Sequence, residues 1–386
     1  MPTSKIKNLL YRAALPFLSP SVPKNPVKRV TGHPLITEKK LSSLLRANHI
    51  TGAALCIQSG QNISMVFSQA VHTNLLADEN TYFRVASITK MATALLCASL
   101  MEQGVLDPES SIDEILPEAQ HIDELRNIRL HHLLSHTSGL ADPHGLEGLL
   151  LKRTPYTEAV KGCRFHDTPG EVFRYSNLGF GLIGCVLESV LGQSVEQIYQ
   201  QYLFGPLKLD ASLEGSSLPE DRIMPVIRIL PYHAGSGMRV TRLGRLPITH
   251  PDPMLHFGYT AGSMYITLPS LFRLISCVRD HGSPLLSSRY ADYMKQNVFS
   301  YGDVSPTLAY GHGLLIIRDR RISDSTVYGH QGFAYGCVDG AFWEESTGNI
   351  LISVNGGCSE SRSGRLGIAN LDLCRWAFRK ELPAWK

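Results

Sequence analysis

One run of sequence, Phe83-Arg84-Val85-Ala86-Ser87-Ile88-Thr89-Lys90, sets the frame for the rest of the chain. It passes from a short extended segment straight into a helix that opens near Ser87. Ala, Leu, Met and Gln fill that helix through Gln103, and Gly104 stands where a C-terminal glycine is favoured. Ser87 and Lys90 are three apart, so one helical face carries both side chains. The helix start also offers unpaired N–H groups and a positive dipole end to developing negative charge. A hydroxyl beside an amine at such a terminus is the raw material of a covalent hydrolase. Ser-x-x-Lys also occurs at Ser4/Lys7 and Ser21/Lys24, where no helix is expected to fix the pair, and a capping serine followed by a solvated lysine would look the same.

The remaining chain narrows the choice. Its 386 residues call for one large or two interleaved domains, and a net charge of +3 argues against a nucleic-acid partner. No apolar run approaches the roughly 20 residues of a membrane span, so a soluble, cytoplasmic protein is expected. Eight scattered cysteines without Cys-x-x-Cys read as reduced, buried thiols, with disulfides as the alternative in a secreted chain. Residues 1–37 carry six Lys/Arg and no Asp or Glu. Leu9–Leu18 is apolar but broken by Arg12 and Pro16, with no small-x-small cleavage site after it. This reads as a basic extension rather than a secretory signal, a membrane-surface or targeting role being the other reading.

In order, the pattern predicts a helix over Thr37–Asn48 capped by Thr37, and a hairpin from 52–58 and 63–67. Short helices follow at 106–117 and 130–135, then the polar turn His136-Thr-Ser-Gly139. His132 and His136 are four apart, but no neighbouring Glu or third ligand supports a metal, so no metal and no cofactor are expected. Leu178, Leu182, Ile183, Val186, Leu187 and Val190 form a broad apolar helical face. Just before it, Tyr175 and Asn177 project to one side if the segment is extended; a packed tyrosine with Asn177 as N-cap is the structural alternative. Residues 231–258 read as loop, with Arg239, Arg242 and Arg245 solvated. A strand at 261–268 and a helix over 269–280 come next. Strands at 313–318, 326–330, 337–343 and 350–355 then suggest an antiparallel sheet, and 366–380 a closing amphipathic helix. His330 is placed at a strand end, with Gly332 allowing close backbone approach.

Taken together, Ser87-Ile-Thr-Lys90, Tyr175-Ser-Asn177 and His330-Gln-Gly332 resemble the signature elements of the penicillin-recognising serine hydrolases. The Tyr-x-Asn element is similar to that of the class C β-lactamases, D,D-carboxypeptidases, D-aminopeptidases and β-lactamase-like esterases and transesterases. Leu133–Leu140, Pro169–Gly184 and Ala261–Met264 resemble that group too, so the likeness spans roughly 35–380. It implies an α+β fold: an antiparallel sheet flanked by helices (35–90 and 260–386), a mostly helical lobe (91–259) and a basic extension (1–34). It further implies Ser87 as nucleophile, and Lys90 and Tyr175 as a base system in which either could carry the proton. The backbone N–H groups of Ser87 and Phe333 would form the oxyanion hole, with Asn177 on the acyl side and His330 on the leaving-group side. Gln331 and Phe333 stand where the resemblance would have hydroxyls that hold a carboxylate, so a less charged ester, amide or short peptide is the expected substrate, with only weak turnover of β-lactams. An acyltransferase using the same acyl-enzyme with an acyl acceptor is the closest rival, and a catalytically silent binding protein of the same fold is the rival of another class.

Overall fold

Alternation of side chains decides how the central sheet buries its two faces. In the computed structural model of the chain, which describes residues 5–34, 38–71, 73, 75–163, 167–230, 232–233, 247–302 and 305–379, nine strands form one antiparallel sheet. These are β1 (Val27–Gly32), β2 (Ala54–Ser59), β3 (Asn62–Ser68), β4 (Phe299–Ser300), β5 (Leu308–Tyr310), β6 (Leu315–Ile317), β7 (Val327–Ala334), β8 (Cys337–Glu344) and β9 (Ile350–Val354). Their spatial order is β1-β3-β2-β9-β8-β7-β6-β5-β4, so the two ends of the chain meet in the middle where β2 pairs with β9. Leu55, Ile57, Phe342 and Leu351 face one side, packing with Leu41 and Leu45 of helix α2 (Glu38–Ala47) and with the C-terminal helix Ile368–Phe378. Cys56, Ala341, Trp343 and Ile352 face the other, where the main core continues into the helical region. The class expected from the sequence, an α+β fold with an antiparallel sheet and a mostly helical lobe, is the one observed.

Four readings change on contact with the structure. The N-terminal stretch, where no helix is expected, forms helix α1 (Lys5–Leu18). Residues 27–32, grouped with the extension, pair with β3 as the edge strand of the sheet. His330 lies inside a strand, because β7 continues to Ala334 and pairs residue by residue with β8. The C-terminal helix is buried on most of its faces, not amphipathic. Thr37, Arg239, Arg242 and Arg245 lie outside the described residues. All eight cysteines are buried and unbridged. No single helix among the described residues is long and apolar enough to cross a membrane.

Two helices carry the site. Helix α3 (Thr89–Glu102) is buried from Thr89 to Met101. Helix α4 (Asn177–Leu191) buries its eleven positions from Leu178 to Glu188, though Val190 keeps 39% of its surface exposed. It starts at Ser176, whose hydroxyl accepts from the Gly179 N–H at 2.9 Å, so Ser176 and not Asn177 is the cap. It ends at Gly192 in the left-handed conformation. A methyl group on Gly181 would sit 2.5 Å from the Gly258 nitrogen, so the bare backbone there lets the 256–262 segment lie against α4.

One carboxylate holds that segment in place. Glu188, inside the apolar helix and 1% exposed, accepts from the N–H groups of Val195 and Asp252, each at 2.7 Å, and contacts His256 Nδ1 at 2.8 Å. Glu188→Ala would strand those buried donors, costing about 3 kcal/mol. The loss is read from urea unfolding, and a change within about 0.5 kcal/mol would show that the carboxylate does not carry this packing.

Candidate active site

The nucleophile candidate sits on a strained turn rather than inside a helix. Tyr82–Arg84 pairs with Tyr265–Thr267, and the chain then makes a single 3-10 turn over Ala86–Ile88 before α3 begins at Thr89. Ala86 adopts φ +46°, an unfavourable conformation for a residue with a side chain, one position before Ser87. Thr89 secures the turn: its hydroxyl donates to the Ala86 carbonyl at 2.6 Å and accepts from the Met264 N–H at 3.1 Å. Ser87 is left half-buried at the edge of a cleft of about 1100 Å³.

Lys90 is fully buried, and its Nζ touches three residues that line the cleft. Its Nζ lies 3.1 Å from Ser87 Oγ, 2.8 Å from Asn177 Oδ1 and 2.6 Å from the Ala261 carbonyl. Burial pulls its pKa down to about 7; Asp142 opposes the shift and Arg84 adds to it. A neutral amine retains two hydrogens, enough for Asn177 and Ala261, and turns its lone pair toward the Ser87 hydroxyl.

Tyr175 completes the group. Lys90 Nζ stands 5.0 Å from its ring centroid, and the Ser87 side chain is close enough to its hydroxyl to favour the phenolate. The residue keeps 37% of its surface exposed, but its hydroxyl end is enclosed, and this burial raises the phenol pKa well above its ordinary value despite the opposing influence of Ser87. The two candidate bases therefore separate: near neutrality the amine is available unprotonated and the phenolate is not.

His136 supports Tyr175 from behind. The rings are 4.1 Å apart, the His136 carbonyl accepts from the Arg174 N–H at 2.8 Å, and Nδ1 accepts from the Ser176 N–H at 3.2 Å. His132 does something unrelated, its Nδ1 accepting from the Arg129 N–H at 3.0 Å.

Asp142 was not foreseen. It accepts from Asn177 Nδ2 at 2.7 Å and from the Leu178 N–H at 2.9 Å, so it adds a second acceptor to the Ser176 cap at the start of α4 and fixes the amide that touches Lys90. Only its place shortly after the His-Thr-Ser-Gly turn could have hinted at this.

The third element is built differently from the sequence expectation. His330 is 2% exposed; Nδ1 donates to the Gln331 carbonyl at 2.7 Å, leaving Nε2 to accept from the Tyr310 hydroxyl at 2.9 Å. Burial and the nearby Lys90 lower its pKa to about 3. With both nitrogens engaged, it positions Tyr310 rather than reaching a leaving group directly. Gln331 clamps a neighbouring loop, Nε2 donating to the Arg365 carbonyl at 2.7 Å and Oε1 accepting from the Gly367 N–H at 3.1 Å. Phe333 carries the Arg362 guanidinium 3.6 Å above its ring. Gly332 allows β7 to abut the Ser87 turn, since a methyl group there would lie 2.4 Å from the Val85 carbonyl oxygen.

Comparison with known proteins places the chain among relatives. The profile of the Beta-lactamase family matches residues 37–343. Penicillin-binding protein 4 of Amycolatopsis lactamdurans is 26% identical over 316 residues, 78% of this chain and 79% of that protein. Protein flp of Staphylococcus aureus strain MW2 is 26% identical over 174 residues, covering 43% of this chain and 35% of its own length. Among solved structures, the D-amino acid amidase of Ochrobactrum anthropi SV3, complexed with L-phenylalanine, superimposes with a TM-score of 0.66 at 22% identity, over 85% of this chain and 92% of that one. EstCE1, a hydrolase with promiscuous acyltransferase activity, gives 0.65 at 17% identity, over 85% and 93%. These two likenesses show a shared fold.

Gly332→Ala should push β7 off the Ser87 turn and lower kcat/KM by roughly 10²-fold, as loss of an oxyanion donor does. Wild-type activity in the far-ultraviolet-intact variant would contradict the packing described. The chain belongs to the beta-lactamase family, whose general chemistry is that of serine hydrolases.

Proposed function

We propose that this chain cleaves an ester or amide through an acyl-enzyme on Ser87. The observation that carries the proposal is the buried Lys90 Nζ, held 3.1 Å from Ser87 Oγ and 5.0 Å from the centroid of the Tyr175 ring. Ser87 Oγ attacks the substrate carbonyl while Lys90 Nζ takes its proton. The oxyanion is held by the N–H groups of Ser87 and Phe333. The C–O or C–N bond to the leaving group then breaks, and the proton reaches that group through Lys90 and the Tyr175 hydroxyl. Water, activated by the same amine, attacks the acyl-enzyme, releasing the acid and restoring Ser87. Asn177 fixes the amine and keeps a second amide hydrogen for the acyl group.

The cleft argues against the less charged substrate expected from Gln331 and Phe333. Arg84, Arg153, Arg228, Arg362 and Arg365 line it, with Asp142 as its one carboxylate among the described residues. Glu360 pairs with Arg228 at 3.1 Å. The surplus of cations favours a substrate with a carboxylate or another anionic group. Gln331 and Phe333, instead of binding that group themselves, hold the loop and the ring on which Arg362 is presented. EstCE1 gives weight to acyl transfer as a second reading, because it shares the fold and is described as having that promiscuous activity. Transfer would use the same acyl-enzyme with an alcohol or amine in place of water.

Three measurements test this. A fluorophosphonate should label Ser87, found by peptide mapping, and leave Ser87→Ala unlabelled; no labelling of the folded wild-type chain would favour a silent binding protein. The acylation rate should climb with pH through about 7 as Lys90 loses its proton, and a flat profile across neutrality would remove Lys90 as base. Paired nitrophenyl esters, one neutral and one with a terminal carboxylate, should differ in favour of the anionic one. Arg362→Ala should lower kcat/KM for that ester alone by about tenfold or more, the loss of one charge-assisted hydrogen bond. Equal losses on both esters would refute the anionic preference while leaving the acyl-enzyme intact.

A further inference from the structure

The N-terminal segment presents an apolar face that the fold does not cover. Helix α1 (Lys5–Leu18) rests on the body through one side. Leu15 packs with Ile227 and Ile229, the Tyr11 hydroxyl accepts from the Glu360 N–H at 3.0 Å, and Asn8 bonds the Arg362 backbone in both directions, at 3.0 and 3.3 Å. At 3.6 residues per turn, Ile6, Leu9, Leu10, Ala13 and Phe17 fall on the opposite side. Ile6 is 72% exposed, Leu9 69%, Leu10 64% and Phe17 85%; with Leu18 at 63%, this helix holds five of the nine large apolar side chains exposed among the described residues. Scattered single residues of this kind are ordinary, whereas a continuous stripe marks a contact surface.

Charge identifies the occupant. Lys7 and Arg12, both exposed, sit on the two flanks of the stripe. The first 37 residues hold Lys5, Lys7, Arg12, Lys24, Lys28 and Arg29 and no acidic residue; Arg29 is paired with Glu79 at 2.9 Å. A second copy apposed through this face would bring like charges together. An anionic lipid surface would instead accept the apolar stripe below its headgroups and the flanking cations among them. We propose that α1 is an interfacial helix that seats the protein on anionic membranes, its other side remaining bonded to the body and to the backbone of Arg362. This proposal stands independently of the catalytic one.

The test is flotation of the full chain with phosphatidylcholine vesicles, with and without phosphatidylglycerol, alongside size-exclusion light scattering. Binding should be strong with phosphatidylglycerol, weak without it, and reduced by salt. Leu10→Asp combined with Phe17→Asp should abolish flotation while leaving circular dichroism and turnover of a soluble ester unchanged. Lys7→Glu combined with Arg12→Glu should weaken binding to the anionic vesicles alone. Failure of the wild-type chain to float with phosphatidylglycerol at low salt would overturn the proposal. So would a dimer that Phe17→Asp dissociates without any vesicle binding, which would assign the stripe to a second copy.

Discussion

A lysine kept out of water is the constraint on which the site rests. An ammonium in a fully buried position is costly unless every hydrogen is satisfied, and Lys90 meets that cost with three acceptors from three parts of the chain: Ser87, Asn177 and Ala261. The same burial that makes the charge expensive makes the neutral amine accessible. Fold and chemistry therefore meet in one atom, because any shift of α4 or of the 256–262 segment would alter both the solvation of Nζ and its reach to the serine.

The supports behind those acceptors are layered. Asp142 steadies Asn177, and Glu188 steadies the segment that ends in Ala261. Thr89 ties the Ser87 turn to Met264, while Gly332 brings the sheet edge against it. Each support comes from a different stretch of sequence, so Ser87, Lys90 and their neighbours are held by the tertiary fold rather than by one motif.

Much of this was legible beforehand, for identifiable reasons. The hairpin at 54–68 and the buried helix after Asn177 follow from period-two and period-3.6 patterning, which is local information. Ser87, Lys90, Tyr175 and Asn177 were found because their spacing and setting together resemble a known constellation. Asp142 and Glu188 escaped because a single acidic residue announces nothing until its partners arrive from elsewhere in the chain. His330 was put at a strand end because Gly-His-Gln-Gly looks like a turn, whereas pairing with Cys337–Glu344 carries the strand through it. Tyr175 was expected beside an ammonium; the enclosure of its hydroxyl, which raises its pKa, depends on walls that sequence does not display.

The clamp made by Gln331 has a wider bearing. Its amide grips the Arg365 carbonyl and the Gly367 N–H, while Asn8 grips the same short hairpin at Arg362. The loop is thus a cassette fastened at both ends by main-chain bonds, which do not depend on what side chains it carries. Residues 362–365 could exchange their cations for other groups and alter which molecules are admitted, with the serine, the lysine and their supports untouched. Selectivity and reactivity are mechanically separable in this architecture.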